Sequence, residues 1–251
     1  MSRGKLIKEN RLYEKYHKST NIQKKIIAEN NFTYRNIIFF LNKYLFLNKN
    51  FKNVLDIGCG AGTIPLYIAS KGYEVLGVDI SDKAVESANG SAKYLKLSNA
   101  HFERIDFPER YPFGKYDFII FTETIEHLED DAKALSVIFK MLRKNGLLLI
   151  STPLISAPLA RFRFVKEFDI KVGHLRRYTE EELVRKSRDA GFSVVEIKKT
   201  EGLLRNYLFI NENAGKLIRY LKFFLSDIIS LLDKVLIPIF GASNVFLVLR
   251  K

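Results

Sequence analysis

Short apolar runs alternate with segments of helical periodicity along most of the chain. The apolar runs are typical of buried strands, and the segments between them space apolar residues three and four positions apart, as amphipathic helices do. Runs predicted as strands lie at 54–57, 73–80, 100–105, 116–121, 147–151, 192–197 and 244–249. Helices are predicted near 34–47, 63–71, 82–97, 129–143 and 179–191. Because strand and helix alternate, the pattern predicts an α/β fold with a parallel sheet and helices on both faces.

The same pattern divides the chain into four parts. We predict an N-terminal helical cap over 1–50, a core over 51–200, an apolar helical insert over 201–243 and a final core strand over 244–251. On a helical wheel, the polar residues of the insert fall within about 140°. They are Lys216, Arg219, Lys222, Ser226, Asp227, Ser230, Asp233 and Lys234. The wide apolar face suits a helix in a membrane interface or a lid over a lipidic substrate, and equally a dimer interface or an extra packing layer. Charges interrupt the insert too often for it to span a bilayer.

A glycine-rich turn follows the first strand. Residues 53–62 read Asn-Val-Leu-Asp-Ile-Gly-Cys-Gly-Ala-Gly. Glycine lets a backbone turn tightly and approach a ligand. The Gly-x-Gly-x-Gly spacing differs from the Gly-x-Gly-x-x-Gly of dinucleotide sites. Asp56, before the first glycine, would repel a pyrophosphate but would suit an ammonium group. S-adenosylmethionine carries an ammonium group, together with a carboxylate for the helix N-terminus.

This turn resembles the first motif of class I S-adenosylmethionine-dependent methyltransferases, and the resemblance covers residues 51–200. It implies a Rossmann-like sheet of seven strands, mostly parallel, whose last strand is antiparallel. It also implies that Asp79, at the end of the second strand, receives the ribose hydroxyls and that Asp106, after the third, receives the adenine amino group. The cofactor-binding set that follows is Asp56, Gly58, Cys59, Gly60, Gly62, Asp79, Ile80, Asp106, Phe107 and Thr122. The structural alternative is a tight turn with ordinary strand-end aspartates in another α/β fold.

A second informative stretch, Glu123-x-x-Glu126-His127, follows the fourth strand. It resembles the same segment of ubiquinone-biosynthesis O-methyltransferases and small-RNA 2′-O-methyltransferases, in which two glutamates and a histidine can hold a magnesium ion. His174 is the candidate for the later histidine ligand of the small-RNA enzymes. Such an ion would lower the pKa of an acceptor hydroxyl, although magnesium prefers oxygen ligands. In metal-free relatives the histidine lies along the cofactor or acts as a general base.

The resemblance therefore implies His127, His174 and Glu123 as catalytic candidates, and Glu123, Glu126, His127 and His174 as candidate metal ligands. The segment 173–178, Gly-His-Leu-Arg-Arg-Tyr, resembles the place where many small-molecule methyltransferases close over their substrate. This favours Arg176 or Tyr178 as a substrate contact. The alternative is a solvated loop that happens to carry arginines.

Features missing from the sequence narrow the reaction. Cys59 is the only cysteine and lies inside the glycine turn, so cytosine C5-methylation through a cysteine nucleophile is excluded. The Pro-Pro-Tyr box of enzymes that methylate exocyclic or amide nitrogen is also missing, and Thr122 and Glu123 occupy its place. The sequence thus points away from methylation of bases and of glutamine.

The composition indicates a globular protein with an anionic partner. The hydrophobic share of 47% is ample for a core, and the net charge is +13. A basic protein favours nucleic acid, an anionic membrane surface or a phosphorylated substrate, although a lysine-rich surface can also reflect base composition. A single cysteine fits a reducing cytosol. No signal-peptide core follows the basic N-terminus, so we expect a cytoplasmic protein, with a peripheral membrane position as the further expectation.

The function expected from these observations is S-adenosylmethionine-dependent O-methylation of an apolar, lipid-linked or glycan acceptor, with Mg²⁺ as an additional candidate cofactor. An RNA 2′-O-methyltransferase is the alternative, favoured by the charge and by the Glu-x-x-Glu-His segment. Nucleic acid is the less favoured partner because no RNA-binding module is recognisable. A non-catalytic S-adenosylmethionine-binding protein and a homodimer built on the insert also agree with the sequence.

Overall fold

The computed structural model describes residues 21–211, 214 and 224–251. Its helical elements are α1 (Arg35–Phe40, continued by a π-helical turn over Leu41–Phe46), α2 (Thr63–Ala69), α3 (Asp82–Leu95), a 3₁₀ turn (Ile125–His127), α4 (Asp131–Met141), α5 (Arg163–Val172), α6 (Glu180–Asp189), α7 (Leu203–Ile210) and α8 (Phe224–Phe240). Its strands are β1 (Asn53–Ile57), β2 (Glu74–Asp79), β3 (Ala100–Arg104), β4 (Tyr116–Thr122), β5 (Leu142–Pro153), β6 (Ser193–Thr200) and β7 (Asn244–Arg250).

The seven strands form one sheet in the order β3-β2-β1-β4-β5-β7-β6. The pairings of β1 with β2 and β4, of β2 with β3 and of β4 with β5 are parallel, and β7 runs antiparallel to both β5 and β6. This confirms the predicted Rossmann-like sheet with an antiparallel last strand. The chain order reverses beside β1, so the ends of β1 and β4 border a crevice where α/β proteins bind ligands.

The core follows the alternation of side chains along β4. Ile119 and Phe121 point to one face, where they pack with α4, and Phe118 and Ile120 point to the other, where they pack with α1 and α2. All four side chains are fully buried. A strand covered on both faces reads as a continuous apolar run, which is why the sequence located it so clearly.

Polar side chains start three of the helices. The side chains of Ser81, Asp130 and Thr179 accept hydrogen bonds from backbone nitrogens three residues ahead, at 3.2, 2.8 and 3.1 Å. Such caps satisfy backbone donors that a helix leaves unpaired. Thr179 thus caps α6, the helix predicted over 179–191. The helix predicted over 129–143 is shorter, because β5 already begins at Leu142.

The cap and the insert are joined by hydrogen bonds. Arg35 on α1 donates to the carbonyl oxygen of Ser226 at 3.0 Å and to Oγ of Ser230 at 2.8 Å, and it pairs with Asp227 at 2.9 Å. Asp233 on α8 accepts the backbone N–H groups of Leu204 and Arg205 at 2.9 Å each and so caps α7.

The insert, predicted as helical over 201–243, consists of α7 and α8 in the described residues. Lys216, Arg219 and Lys222 lie outside them, as do residues 1–20 of the predicted cap. The predicted boundaries at 50, 200 and 243 stay predictions.

Candidate active site

The turn between β1 and α2 has left-handed backbone. Gly58, Gly60 and Gly62 have φ angles of 76°, 53° and 79°, which side chains rarely tolerate. A Cβ at Gly58 would overlap the side chain of Thr124, and one at Gly62 would lie 2.7 Å from the ring of Phe102. Glycine is therefore needed for conformation at all three positions and for packing at two.

Two aspartates border this turn. The Asp79 carboxylate accepts hydrogen bonds from the backbone nitrogens of Gly60 at 2.8 Å and Ser81 at 2.9 Å. The Asp56 side chain is 96% buried, at 4% exposure. Burial, and secondly the charge of Asp79, raise the pKa of Asp56 well above its ordinary value. A ligand that brings a cation or hydrogen-bond donors would compensate for this unfavourable ionised carboxylate.

A cavity of about 890 Å³ opens at the carboxyl ends of the strands. The predicted cofactor residues that line it are Asp56, Gly58, Cys59, Gly60, Asp79, Ile80, Asp106, Phe107 and Thr122. Gly62 is not part of the lining, because it packs against Phe102. Burial raises the pKa of the Cys59 thiol well above its ordinary value, which makes this cysteine a poor nucleophile at neutral pH.

Glu126, His127 and His174 form a cluster beside the same cavity: Glu126 is buried, and the half-buried His127 and His174 line the cavity. One ligand atom of each residue lies within 4.8 Å of the others, and the two imidazole rings meet edge to face, with centroids 4.9 Å apart. Glu126 Oε2 accepts a hydrogen bond from Thr152 Oγ1 at 3.1 Å. Glu126 Oε1 has no hydrogen-bond partner among the described residues and lies 3.9 Å from His174 Nε2. The cluster thus holds an unsatisfied oxygen atom beside an imidazole nitrogen.

Burial is the main cause of the pKa shifts of Glu126 and His127. Burial, and secondly the charge of Glu123, raise the pKa of Glu126 well above its ordinary value. Burial and the neighbouring His174 lower the pKa of His127 to about 4. His127 is therefore neutral at pH 7. Its Nδ1 lies 3.1 Å from the carbonyl oxygen of Gly173, which can only accept, so the proton resides on Nδ1.

Glu123, the fourth predicted metal ligand, does not join this cluster. Its backbone has a φ of 51°. Its Oε1 atom accepts hydrogen bonds from Ser151 Oγ at 2.6 Å and Asn244 Nδ2 at 2.8 Å. The remaining set of one carboxylate and two imidazoles does not suit Mg²⁺, which prefers oxygen ligands. The magnesium site stays a prediction, and the role proposed for His174 does not depend on it.

Sequence reasoning missed the residue that orients His174. Asp169 Oδ1 lies 2.9 Å from His174 Nδ1, and Arg177 donates to both carboxylate oxygens of Asp169, at 2.7 and 2.8 Å. Although burial acts against it, the hydrogen bonds from His174 and Arg177 lower the pKa of Asp169 to about 2. The ionised carboxylate accepts a hydrogen bond from the N–H group at Nδ1. Nε2 therefore carries no proton and is the basic nitrogen. No sequence signal distinguished Asp169 within the charged helix α5.

The other residues predicted in this segment have structural roles. Arg176 Nη1 and Tyr178 Oη donate to Oδ2 of Asp131 at 3.1 and 2.7 Å, and Lys186 Nζ donates to Oδ1 at 3.1 Å. Neither Arg176 nor Tyr178 lines the cavity. The expectation that one of them contacts the substrate is therefore not supported by their position, because their donors are directed at a buried carboxylate.

A second polar group lies where β7 and α7 border the cavity. Asn244 and Asn206 line it and are 6% and 7% exposed, and the side-chain oxygen of each has no hydrogen-bond partner among the described residues. Glu201 also lines the cavity and is paired with Arg205 Nη2 at 3.3 Å. Burial raises the pKa of Glu201 in spite of that pairing.

Helix α8 buries two of its polar side chains against the protein and exposes Asp227 and Lys234. Ser226 and Asp233 are buried. The apolar residues that it exposes are Ile228, Leu231, Leu232, Val235, Ile239 and Phe240. None of the helices in the described ranges is long and apolar enough to cross a membrane.

Comparison with known proteins agrees with this geometry. Residues 29–197 match the family model described as a methyltransferase domain. A curated relative, the ubiquinone biosynthesis O-methyltransferase of Acinetobacter baylyi, is 29% identical over 103 residues, which are 40% of this chain and 43% of the relative. A probable S-adenosylmethionine-dependent methyltransferase of Mycolicibacterium smegmatis is 31% identical over 145 residues, 57% of this chain and 52% of the relative.

Solved structures share the fold. Phosphoethanolamine N-methyltransferase 2 of Haemonchus contortus, in complex with S-adenosyl-L-methionine, superposes with a TM-score of 0.66 at 20% identity. The match covers 87% of this chain and 52% of that one. The chain thus spans about half the length of these relatives.

Proposed function

This chain belongs to the methyltransferase domain family, and on that premise we propose that it transfers the methyl group of S-adenosylmethionine to a hydroxyl oxygen of an acceptor with an apolar part. The observation that carries this proposal is the His174 imidazole, held by Asp169 with its basic nitrogen 3.9 Å from Glu126 at the cavity. A hydroxyl group needs a base of this kind, because it is a weak nucleophile until its proton is removed.

The residues of the cavity suit the cofactor. Asp79 can accept the ribose hydroxyls with the lone pairs that its two backbone contacts leave free. Asp106 can accept the adenine amino group. The buried Asp56 would be stabilised as a carboxylate by the ammonium group of the methionine part. When bound, S-adenosylmethionine supplies an electrophilic methyl group on its sulfonium.

The chain's own side chains would prepare the acceptor. His174 Nε2 accepts the hydroxyl proton, and the imidazolium that forms is stabilised by the Asp169 carboxylate 2.9 Å from Nδ1. Glu126 Oε1, which has no partner in the described part of the chain, can bond to the same hydroxyl. Neutral His127 packs against His174 and adds no second positive charge that would oppose protonation.

An apolar part of the acceptor is supported by the cavity wall and by α8. Apolar residues that line the cavity on the acceptor side are Ile37, Phe168, Val172, Phe209 and Ile210. We further propose that the exposed apolar face of α8 rests on an anionic membrane that holds the acceptor. The net charge of +13 favours such a surface. A homodimer through the same face is the competing arrangement.

The test is methyl transfer from labelled S-adenosylmethionine to a lipid extract, followed by mass spectrometry of the labelled product. We expect a methyl ether in the lipid fraction, and its loss in His174→Gln. The net charge favours RNA as a second candidate acceptor, so total RNA is offered in parallel. Label in RNA alone, at ribose 2′-oxygens, would replace the lipid proposal by the RNA alternative.

A further inference from the structure

We propose that the end of the cavity between β7 and α7 binds a hydroxyl-rich group of the acceptor, such as a sugar ring, through Asn206, Asn244 and Glu123. The inference rests on the proposed function, because it assigns this group to the molecule that is methylated. It narrows the acceptor from any apolar alcohol to one that carries a polyol or glycan part.

The first support is a pair of buried oxygen atoms. Asn206 and Asn244 are more than nine-tenths buried, and neither side-chain oxygen has a hydrogen-bond partner among the described residues. Both residues line the cavity. Buried polar atoms are nearly always paired, by protein, water or ligand. Two unpaired acceptors on residues that line one cavity therefore indicate a ligand that brings donors.

The second support is the orientation of Asn244. Its Nδ2 donates to Glu123 Oε1 at 2.8 Å, and a flipped amide would place two acceptors against each other. The side-chain oxygen is thus the atom left for a ligand. Glu123 has an unusual backbone, with a φ of 51°, and Ser151 Oγ holds the same carboxylate oxygen at 2.6 Å. Carboxylate and amide are therefore fixed as one group of acceptors before any ligand arrives.

The third support is the charge of this end. Glu201 is paired with Arg205 Nη2, which also donates to the carbonyl oxygen of Phe32 at 2.7 Å. This pairing leaves Glu123 as the unbalanced charge of the set. Two neutral acceptors together with a single carboxylate suit hydroxyl groups, which can donate to each of them. A quinone-like ring presents carbonyl oxygens and would leave the same acceptors unpaired.

The experiment measures binding of three probes with the same alkyl chain. Octyl β-D-glucoside offers several hydroxyls, 4-octylphenol offers one, and octylamine offers a cation. Each is titrated below its critical micelle concentration into the full chain saturated with S-adenosylhomocysteine. The variant is Asn206→Leu, which removes the acceptor at similar size. Asn50→Leu makes the same change at an exposed position and serves as the control.

We expect Asn206→Leu to weaken octyl glucoside binding by about 5-fold to 100-fold, the range for a lost buried hydrogen bond. Binding of 4-octylphenol and affinity for S-adenosylmethionine should not change. If Asn206→Leu lowers the Tm, Asn206→Asp supplies the comparison, because it keeps an acceptor oxygen and should retain binding.

Three outcomes would overturn the inference. Wild type and Asn206→Leu could bind octyl glucoside equally, or neither could bind it. Octylamine could also bind more tightly than octyl glucoside, which would make this end a cation site. Failure of the proposed function looks different: octyl glucoside would bind and discriminate the variants, while no hydroxyl acceptor would be methylated.

Discussion

His174 Nδ1 lies 2.9 Å from Oδ1 of Asp169, and this contact sets which nitrogen of the imidazole carries the proton. A carboxylate accepts only, so Nδ1 must donate, and Nε2 is left without a proton as the proposed base. Arg177 holds the carboxylate from the other side with two hydrogen bonds. The arrangement makes Asp169 a positioning residue for the proposed proton transfer.

Replacing Asp169 with asparagine should therefore lower kcat by about 100-fold to 10,000-fold, the range for general base catalysis. An amide can donate to Nδ1 and so favour the wrong tautomer. Affinity for S-adenosylmethionine should stay the same, which separates positioning from folding. Glu167→Gln, an exposed change on the same helix, is the control. Equal kcat in the two variants would remove Asp169 from the mechanism.

Cofactor affinity should depend on Asp79. We expect Asp79→Ala to weaken S-adenosylmethionine binding by about 2–3 kcal/mol, because charged hydrogen bonds to the ribose are lost. The same carboxylate also holds Gly60 and Ser81, so Asp79→Asn, which preserves one acceptor, should cost less. Titration calorimetry measures both, with exposed Asp82→Asn as the control. Unchanged affinity in Asp79→Ala would exclude this residue from the site.

Turnover should survive EDTA. The cluster of Glu126, His127 and His174 presents only one carboxylate, which is a poor set for Mg²⁺. We expect the same kcat before and after chelation and dialysis, and no recovery on adding Mg²⁺. Loss of activity with restoration by a transition ion would show instead that the two imidazoles are ligands, and His174 would no longer serve as the base.

Anionic vesicles should bind the exposed face of α8. Replacing Leu231 and Val235 with serine should weaken binding to phosphatidylglycerol vesicles, measured by flotation, by about 2–4 kcal/mol, if both side chains enter the lipid. Affinity should also fall with salt, since attraction to headgroups is screened beyond about 8 Å at physiological ionic strength. Leu47→Ser with Phe113→Ser, which are exposed elsewhere, is the matched control. A different result would identify the face as a subunit interface: neither the wild type nor the double mutant floats with vesicles, and the wild type is a dimer while the double mutant is a monomer.

Acid stability should reflect the buried Asp131. Burial acts against ionisation, yet hydrogen bonds from Tyr178 and Lys186 and the charges of Lys186 and Arg176 lower the pKa of Asp131. Because the pKa of Asp131 is lower in the folded than in the unfolded protein, its ionised carboxylate stabilises the fold at pH values above the unfolded-state pKa of about 3.9. This contribution is lost as the pH falls through the pKa of Asp131 in the folded protein. Asp131→Asn should therefore be less stable at pH 7 and lose less stability on acidification. Thermal unfolding between pH 7 and pH 3 tests this, and parallel pH profiles would contradict it.

The sheet and the left-handed glycine turn could be predicted from the sequence because both depend on local patterns. A buried strand such as β4 is a continuous apolar run, and the left-handed turn at 58–62 requires glycine. The acceptor half of the cavity depends on contacts between distant residues. Asn244 reaches Glu123 across 121 positions of the chain. Asp169 lies only five positions before His174, but their contact depends on how the chain turns after α5. Composition and periodicity carry no record of such pairs.

The hydrogen bonds and the ion pair between Arg35 and α8 limit how this protein can change in evolution. In the chain, the insert lies between β6 and β7, away from the glycine turn. Homologues could therefore carry other segments in place of α7 and α8 without a change in that turn. They could not exchange these helices alone, because Arg35 reaches Ser226, Asp227 and Ser230 from the other end of the chain. Position 35 should therefore vary together with position 227 among homologues, and a graft of the insert that omits α1 should have a lower Tm than one that includes it.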